Sequence, residues 1–323
     1  DLLEQLSLEK GGNAPCWGSV MLGIMAAALP VLAGGFFEDV TKKIAPRVRL
    51  GLAIASALLA VVVMKASVTR LGISVVDSVL QTHGYWGVLL TMLLLSGLTN
   101  AYNIIDGFHG LVGVIAFLVN LSLFYVAYKV NDQSIIFVTL AFAGVLLGFI
   151  FWNYPKGYIF LGDGGAYFIG FFLGVVSILL VNRNPQVSPW FAFLIHLYPV
   201  TETLFSIYRR RFRGAHVTAP DGLHFHSLVY RRLVRWVTQE EPRFLNRNAM
   251  TSPYLWALSL FTLAPAVLFW QNDWPLQLSG FVFVPLYVYL YFRIVRFKAP
   301  RFLILRPKSV GLQASQKRAD RPS

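Results

Sequence analysis

Nine runs of apolar residues, each long enough to cross a bilayer, constrain this chain more than anything else in it. A hydrocarbon core needs roughly 20 apolar residues per helix. Such runs occur at about 17–37, 49–66, 85–103, 110–128, 134–152, 164–181, 189–207, 254–271 and 276–294. With 56% hydrophobic and only 13% charged residues in 323, the composition excludes a soluble globule. Backbone polar groups in lipid must be satisfied within the spanning element, so the runs predict an all-α, polytopic helix bundle. One membrane-embedded domain is expected over 1–306, with a loop at 208–253 and a disordered tail at 307–323. The polar opening DLLEQLSLEKGGNAP reads as an interhelical loop, so further spans are expected upstream of it. Cys16 is the single cysteine, which excludes an intrachain disulfide and suits a structural thiol near a helix end.

Charge sets the orientation. Of the 28 Lys and Arg residues, 23 fall in the loops and tail of one side and five on the other, Lys10, Lys65, Arg70, Lys129 and Arg183. The positive-inside rule makes the 23-rich side cytoplasmic. The net charge of +13 therefore predicts contact with anionic lipid headgroups, not nucleic acid. Basic residues interleave with aromatics in YRRLVRWV and YFRIVRFKAPRF, as juxtamembrane segments do. Loop 208–253 is arginine-rich, interrupted by Pro220 and Pro242, and is expected to carry a short amphipathic helix. The VVDSVL run within 67–84 is expected to lie along the opposite interface. The pairs Gly144/Gly148 and Gly170/Gly174 predict close helix contacts.

Against this background, acids at the cytoplasmic edge of the spans stand out. Carboxylates near hydrocarbon are costly and mark functional positions, such as a cation site or a proton relay. Asp39 lies in GGFFEDVTKK, Asp106 in NAYNIIDGFHG and Asp163 in IFLGDGGAYF, all on the cytoplasmic side. Asn100, Asn103 and Asp106 follow an i, i+3, i+6 spacing that puts two amides and a carboxylate on one helix face. Capping and interhelical hydrogen bonds are the structural alternative. The Gly-rich turn around Asp163 opens a helix, a natural anion site. An aspartate there makes sense if it holds a divalent ion that in turn holds phosphates, although Asp is also an ordinary N-cap. Glu38 and Asp39 precede Lys42 and Lys43; an i,i+4 surface pair between Glu38 and Lys42 competes with a metal or proton-transfer role. In Asp221-Gly-Leu-His224-Phe-His226 two imidazoles share one side of an extended segment. With Arg209, Arg210, Arg211 and Arg213 close by in sequence, a phosphate or diphosphate contact is favoured there over a zinc site, which would want further nitrogen or sulfur ligands. His83 and His196 read as structural.

These four strings, in this order across roughly residues 17–235, resemble the polyprenyl-phosphate N-acetylhexosamine-1-phosphate transferases. That family includes undecaprenyl-phosphate GlcNAc-1-phosphate transferase and phospho-MurNAc-pentapeptide translocase. The resemblance implies transfer of a sugar-1-phosphate from a UDP-sugar to a polyprenyl phosphate at the cytoplasmic face of a bacterial inner membrane, with release of UMP. It implies Mg²⁺, or Mn²⁺ in its place, on Asp163, and uracil stacking on Phe160. Asn153 and Asp106 then match pocket residues, and Glu38 and Asp39 the acidic pair that handles the lipid phosphate. Lys42, Asn100, Asn103, His109, Arg210, His224 and His226 fall to substrate binding. A homodimer is among the partners it suggests. The chain departs from the family pattern at Glu38 and His109, where aspartates are usual, at Glu202 for an aspartate and at Ala166 for a serine. Two other readings compete: a secondary transporter, disfavoured by acids at the membrane edge and by the lack of a repeat, and a non-catalytic lipid-binding relative.

Overall fold

A computed structural model describes residues 17–212, 223–234 and 247–296. Cys16, Pro220, Asp221, Pro242, Arg213, the polar opening and the tail lie outside the described residues. Among the described residues, twelve α-helices follow one another: α1 (Trp17–Thr41), α2 (Pro46–Met64), α3 (Ser74–Thr82), α4 (Gly84–Ile105), α5 (Leu111–Lys129), α6 (Gln133–Asn153), α7 (Gly162–Arg183), α8 (Pro189–Ile195), α9 (Leu197–Phe212), α10 (Phe225–Val229), α11 (Ser252–Leu268) and α12 (Asp273–Val295). Among the described residues, eight helices are long and apolar enough to cross a membrane, or nine with the pair α8–α9, bent by 66°, counted as one span. The chain is a multi-pass membrane protein, and the nine apolar runs fall on these eight helices and the bent pair.

The helix ends follow local rules. Pro46 opens α2 and Pro189 opens α8, positions where a missing N–H costs nothing. Ser188 and Asp132 cap α8 and α6 by accepting from Trp190 N and Ile135 N. Inside the bundle, buried hydroxyls donate to carbonyls of their own helix, Thr99 to Leu95 O and Ser177 to Leu173 O among them. Polar side chains thereby enter hydrocarbon already paired. Pro30 interrupts α1 within the membrane, and the next amide, Val31 N, donates to Ser56 Oγ on α2.

Helix α7 is the axis of the bundle, with nearly every residue from Ile169 to Val181 buried. Helices α1, α4 and α5 surround it. Two close approaches explain why α7 can be central. A Cβ on Gly35 of α1 would stand 2.2 Å from Gly164 Cα, so these backbones touch. A Cβ on Gly170 would stand 2.8 Å from Leu98 O of α4. The small-residue expectation therefore holds for Gly170 and Gly174. It fails for Gly144 and Gly148, where nothing lies within 4 Å. Those two glycines face outward on α6, because four-residue spacing marks a helix stripe without saying which way it points.

The connections 42–45, 106–110 and 154–161, with the described residues 223–234 and 247–251, lie at one end of the bundle, since successive spans alternate in direction. The opposite end carries α3, along the 67–84 connection, and the turns at 130–132, 184–188 and 269–272.

Candidate active site

The site is assembled from helix ends far apart in sequence. The last turn of α1 meets the first turn of α7 at the Gly35–Gly164 contact, which brings Asp39 over the α7 N-terminus. Asp39 Oδ1 accepts from Asp163 N at 2.9 Å and Oδ2 from Gly164 N at 3.1 Å. A carboxylate supplied by another helix thus caps α7 and meets the positive end of its dipole. Gly162 makes this possible in two ways: its φ of +71° lies in the left-handed region, and a Cβ there would stand 2.6 Å from Asp39 Oδ2.

Asp163 points back toward α4 and α2. Its Oδ1 accepts from Asn103 Nδ2 at 2.8 Å, and its Oδ2 lies 3.4 Å from Arg49 Nη1. Glu38 Oε2 accepts from Ile44 N at 2.8 Å, and Oε1 lies 3.7 Å from the same Arg49 nitrogen. The i,i+4 pair with Lys42 is replaced by this longer-range one. Lys42 itself adopts a left-handed φ of 56°, which ends α1 and sends its side chain outward. Asp106, just past the end of α4, feels this charge. Burial, followed by the nearby Asp163 and Asp39 carboxylates, pushes its pKa up to about 7.

The loop that follows Asp106 is fixed by its backbone. His109 N donates to Asn248 Oδ1, Ser252 Oγ donates to His109 O, and Trp256 Nε1 donates to Gly110 O. Asn153 is a staple between loops: its Oδ1 accepts from Gly110 N and its Nδ2 donates to Ile159 O. The His109 ring stands edge-on to Phe160 at 5.7 Å, and Phe160 is 77% exposed, an open ring face beside the site. Asn100 donates to Ser96 O of its own helix, so of the two amides only Asn103 reaches an acid.

His224 and His226 are brought to the same end. They sit at the N-cap and in the first turn of α10, not on an extended segment, and their rings nevertheless stack at 5.2 Å and 10°. A Cβ on Gly107 would stand 2.9 Å from His226 Nε2, so this loop reaches the residue next to Asp106. Behind it, the fully buried Glu202 accepts from Phe225 N and Tyr287 Oη and lies 3.1 Å from His224 Nδ1. Arg209 donates to Leu223 O and Tyr291 Oη, which anchors the start of this segment to α12. Arg210, the residue expected to contact substrate, is half-buried at the end of α9.

Among the described residues, no group of three His, Cys, Asp or Glu side chains could hold a metal ion. Asp39 has both oxygens on the α7 backbone. The remaining donors still suit magnesium, which binds through one or two carboxylates and takes its other ligands from water and substrate phosphates. Asp163, half-exposed and with Asp106 nearby, is that kind of site. A cavity of about 370 Å³ lies on the other half of the bundle, lined by residues such as Leu94, Ile178 and Phe193, and no carboxylate reaches it.

Residues 21–181 match the model of glycosyl transferase family 4. This stretch contains all three acidic loops and the whole α1–α7 contact. The chain belongs to glycosyl transferase family 4. It is 31% identical over 144 residues to a probable undecaprenyl-phosphate N-acetylglucosaminyl 1-phosphate transferase of Bacillus subtilis, covering 44% of this chain and 40% of that protein. It is 30% identical over 142 residues to the undecaprenyl-phosphate alpha-N-acetylglucosaminyl 1-phosphate transferase of Thermotoga maritima, covering 44% and 43%. A longer match, 26% over 216 residues, joins it to the phospho-N-acetylmuramoyl-pentapeptide-transferase of Moorella thermoacetica, with 65% and 64% covered. The chain thus spans about two fifths of the length of the first two relatives. The family match ends before His224 and His226, so those two rest on the structure.

Arg49, Asn248 and Glu202 are the residues that sequence reading missed as parts of the site. Arg49 was one of many loop cations, and Glu202 stood out only as a departure from a pattern. A buried acid on a helix that ends in three arginines was the available signal for Glu202.

Proposed function

We propose that this family 4 member transfers a sugar-1-phosphate from a UDP-sugar to a polyprenyl phosphate at the cytoplasmic face of a bacterial inner membrane, releasing UMP. The observation that carries this reading is the convergence of Glu38, Asp39, Asp106 and Asp163, from three loops, at one end of a membrane bundle, with Arg49 between Glu38 and Asp163. The relatives' names support the same reaction class. In it, an oxygen of the lipid phosphate forms a bond to the sugar-side phosphorus, and the bond from that phosphorus to the bridging oxygen breaks, leaving UMP.

Such chemistry asks chiefly for positioning and charge neutralisation. Asp163 would hold Mg²⁺ (or Mn²⁺), which when bound neutralises charge on the diphosphate. Asn103 fixes the Asp163 carboxylate. Asp39 holds the α7 N-terminus, and with it the backbone of Asp163, in place. Asp106, titrating near neutrality, is suited to accept the last proton of the lipid phosphate. Phe160 offers its exposed face to a nucleobase, and His224 and His226 line the sugar or phosphate side, the loop that carries them being set by Glu202. Lys42 and Arg210 supply cationic surroundings for the phosphates.

The test is a panel of UDP-sugars offered with undecaprenyl phosphate and Mg²⁺, with UMP and lipid-linked product both measured. At least one sugar should yield both products in equal amounts, and Asp163→Asn should lose both. Product formation that survives Asp163→Asn undiminished would remove Asp163 from the site.

A further inference from the structure

Arg49 stands among the carboxylates as their cation. It lies in the first turn of α2, and its Nη1 reaches both the end of α1 and the start of α7: Glu38 Oε1 at 3.7 Å and Asp163 Oδ2 at 3.4 Å. Both contacts are long, and the side chains of Arg49 and Asp163 are 24% and 31% exposed. Such a pair is loosely held and partly screened. It is also placed on the one Asp163 oxygen that Asn103 leaves open.

A divalent ion approaching that oxygen meets a guanidinium of like charge. An anionic diphosphate beside it changes the balance, because the guanidinium fork matches phosphate oxygens better than a single carboxylate oxygen at 3.4 Å. We propose that Arg49 is a resident counter-ion that competes with the divalent ion for Asp163. It yields its place when a phosphate-bearing ligand draws the guanidinium away, so cation and nucleotide bind with positive coupling. Cation binding without nucleotide is then held down, and the charge of the cluster is never left bare. The nucleotide half of this inference rests on the transferase reading; the competition for Asp163 does not.

Full-length chain in detergent micelles, titrated with Mn²⁺ alone and followed by electron paramagnetic resonance of the free ion, provides the test. Arg49→Gln should bind Mn²⁺ about fivefold tighter than wild type, the low end of usual coupling between sites. Arg49→Lys, which keeps the charge but lacks the fork, should fall between them, and it decides the matter if Arg49→Gln aggregates. Asp163→Asn should abolish the binding. Adding UMP, with protein-free blanks subtracted, should tighten Mn²⁺ binding in wild type and much less in Arg49→Gln. Equal or weaker Mn²⁺ binding in both Arg49 variants overturns the proposal, as does wild-type Mn²⁺ binding that Asp163→Asn leaves intact. Tighter Mn²⁺ binding with no turnover of any UDP-sugar would sink the transferase reading and leave the counter-ion standing. Turnover with unchanged Mn²⁺ affinity would do the reverse.

Discussion

The two ends of the bundle use their charges in opposite ways. At the end with α3, Asp77, Asp132 and Arg70 bind backbone groups. Asp77 accepts from Leu71 N and Gly72 N, Asp132 caps α6 and pairs with Arg183, and the Arg70 guanidinium donates to the carbonyls of Val181, Asn184 and Val187. At the other end, carboxylates from three loops lie close together, Glu38 and Asp163 share one guanidinium, and burial, followed by the neighbouring Asp163 and Asp39 carboxylates, pushes the Asp106 pKa up to about 7. Acids that satisfy local backbone build structure, whereas acids crowded together store a demand for positive charge. Asp39 belongs to both kinds: it sits in the crowded cluster and caps α7.

The comparison breaks most visibly at turnover. Asp163→Asn should lower product formation by about a hundredfold or more, the usual cost of losing a charge-stabilising group. Asp77→Asn at the opposite end should leave turnover within about twofold while lowering the unfolding midpoint. Equal losses in both would erase the distinction. Gly35→Ala comes next, since its Cβ has backbone in the way; a destabilisation of about 2–3 kcal/mol is expected from such overpacking. The outward-facing Gly144→Ala should instead stabilise by up to about 1 kcal/mol, through helix propensity alone. Thermal unfolding in detergent compares the two directly.

Asp39→Asn should destabilise by about 1–3 kcal/mol, as charge-assisted hydrogen bonds do when weakened. The smallest effect concerns pH. Below about 7 the Asp106 carboxyl carries a proton and is neutral, and above that it adds a negative charge. Mn²⁺ affinity should therefore rise as pH passes upward through about 7, and Asp106→Asn should flatten that rise. A wild-type profile already flat there would show that Asp106 does not feel the cluster.

Much of the fold was legible because membrane spans obey one dominant rule, apolar length, and the nine runs met eight apolar helices and one bent pair. The acids were legible for the same reason, since a charge stands out against hydrocarbon. Their partners were not. Arg49 looks like every other loop cation until α2 is laid against α1 and α7. Gly144 and Gly148 share the spacing of Gly170 and Gly174, and only helix rotation separates lipid-facing from packed. The capping role of Asp39 depends on two helix ends crossing at Gly35 and Gly164, more than a hundred residues apart, which no local pattern encodes.

Affinity cleavage probes most directly whether these distant loops enclose one cation. Fe²⁺ substituted for Mg²⁺, with ascorbate and oxygen, cuts the backbone only near where it binds. Cuts near Glu38–Asp39, Asp106 and Asp163, all suppressed by excess Mg²⁺ and by Asp163→Asn, are the expected result. Cleavage confined to one loop, or falling at Asp77, Asp132 or Asp273, would contradict a shared site.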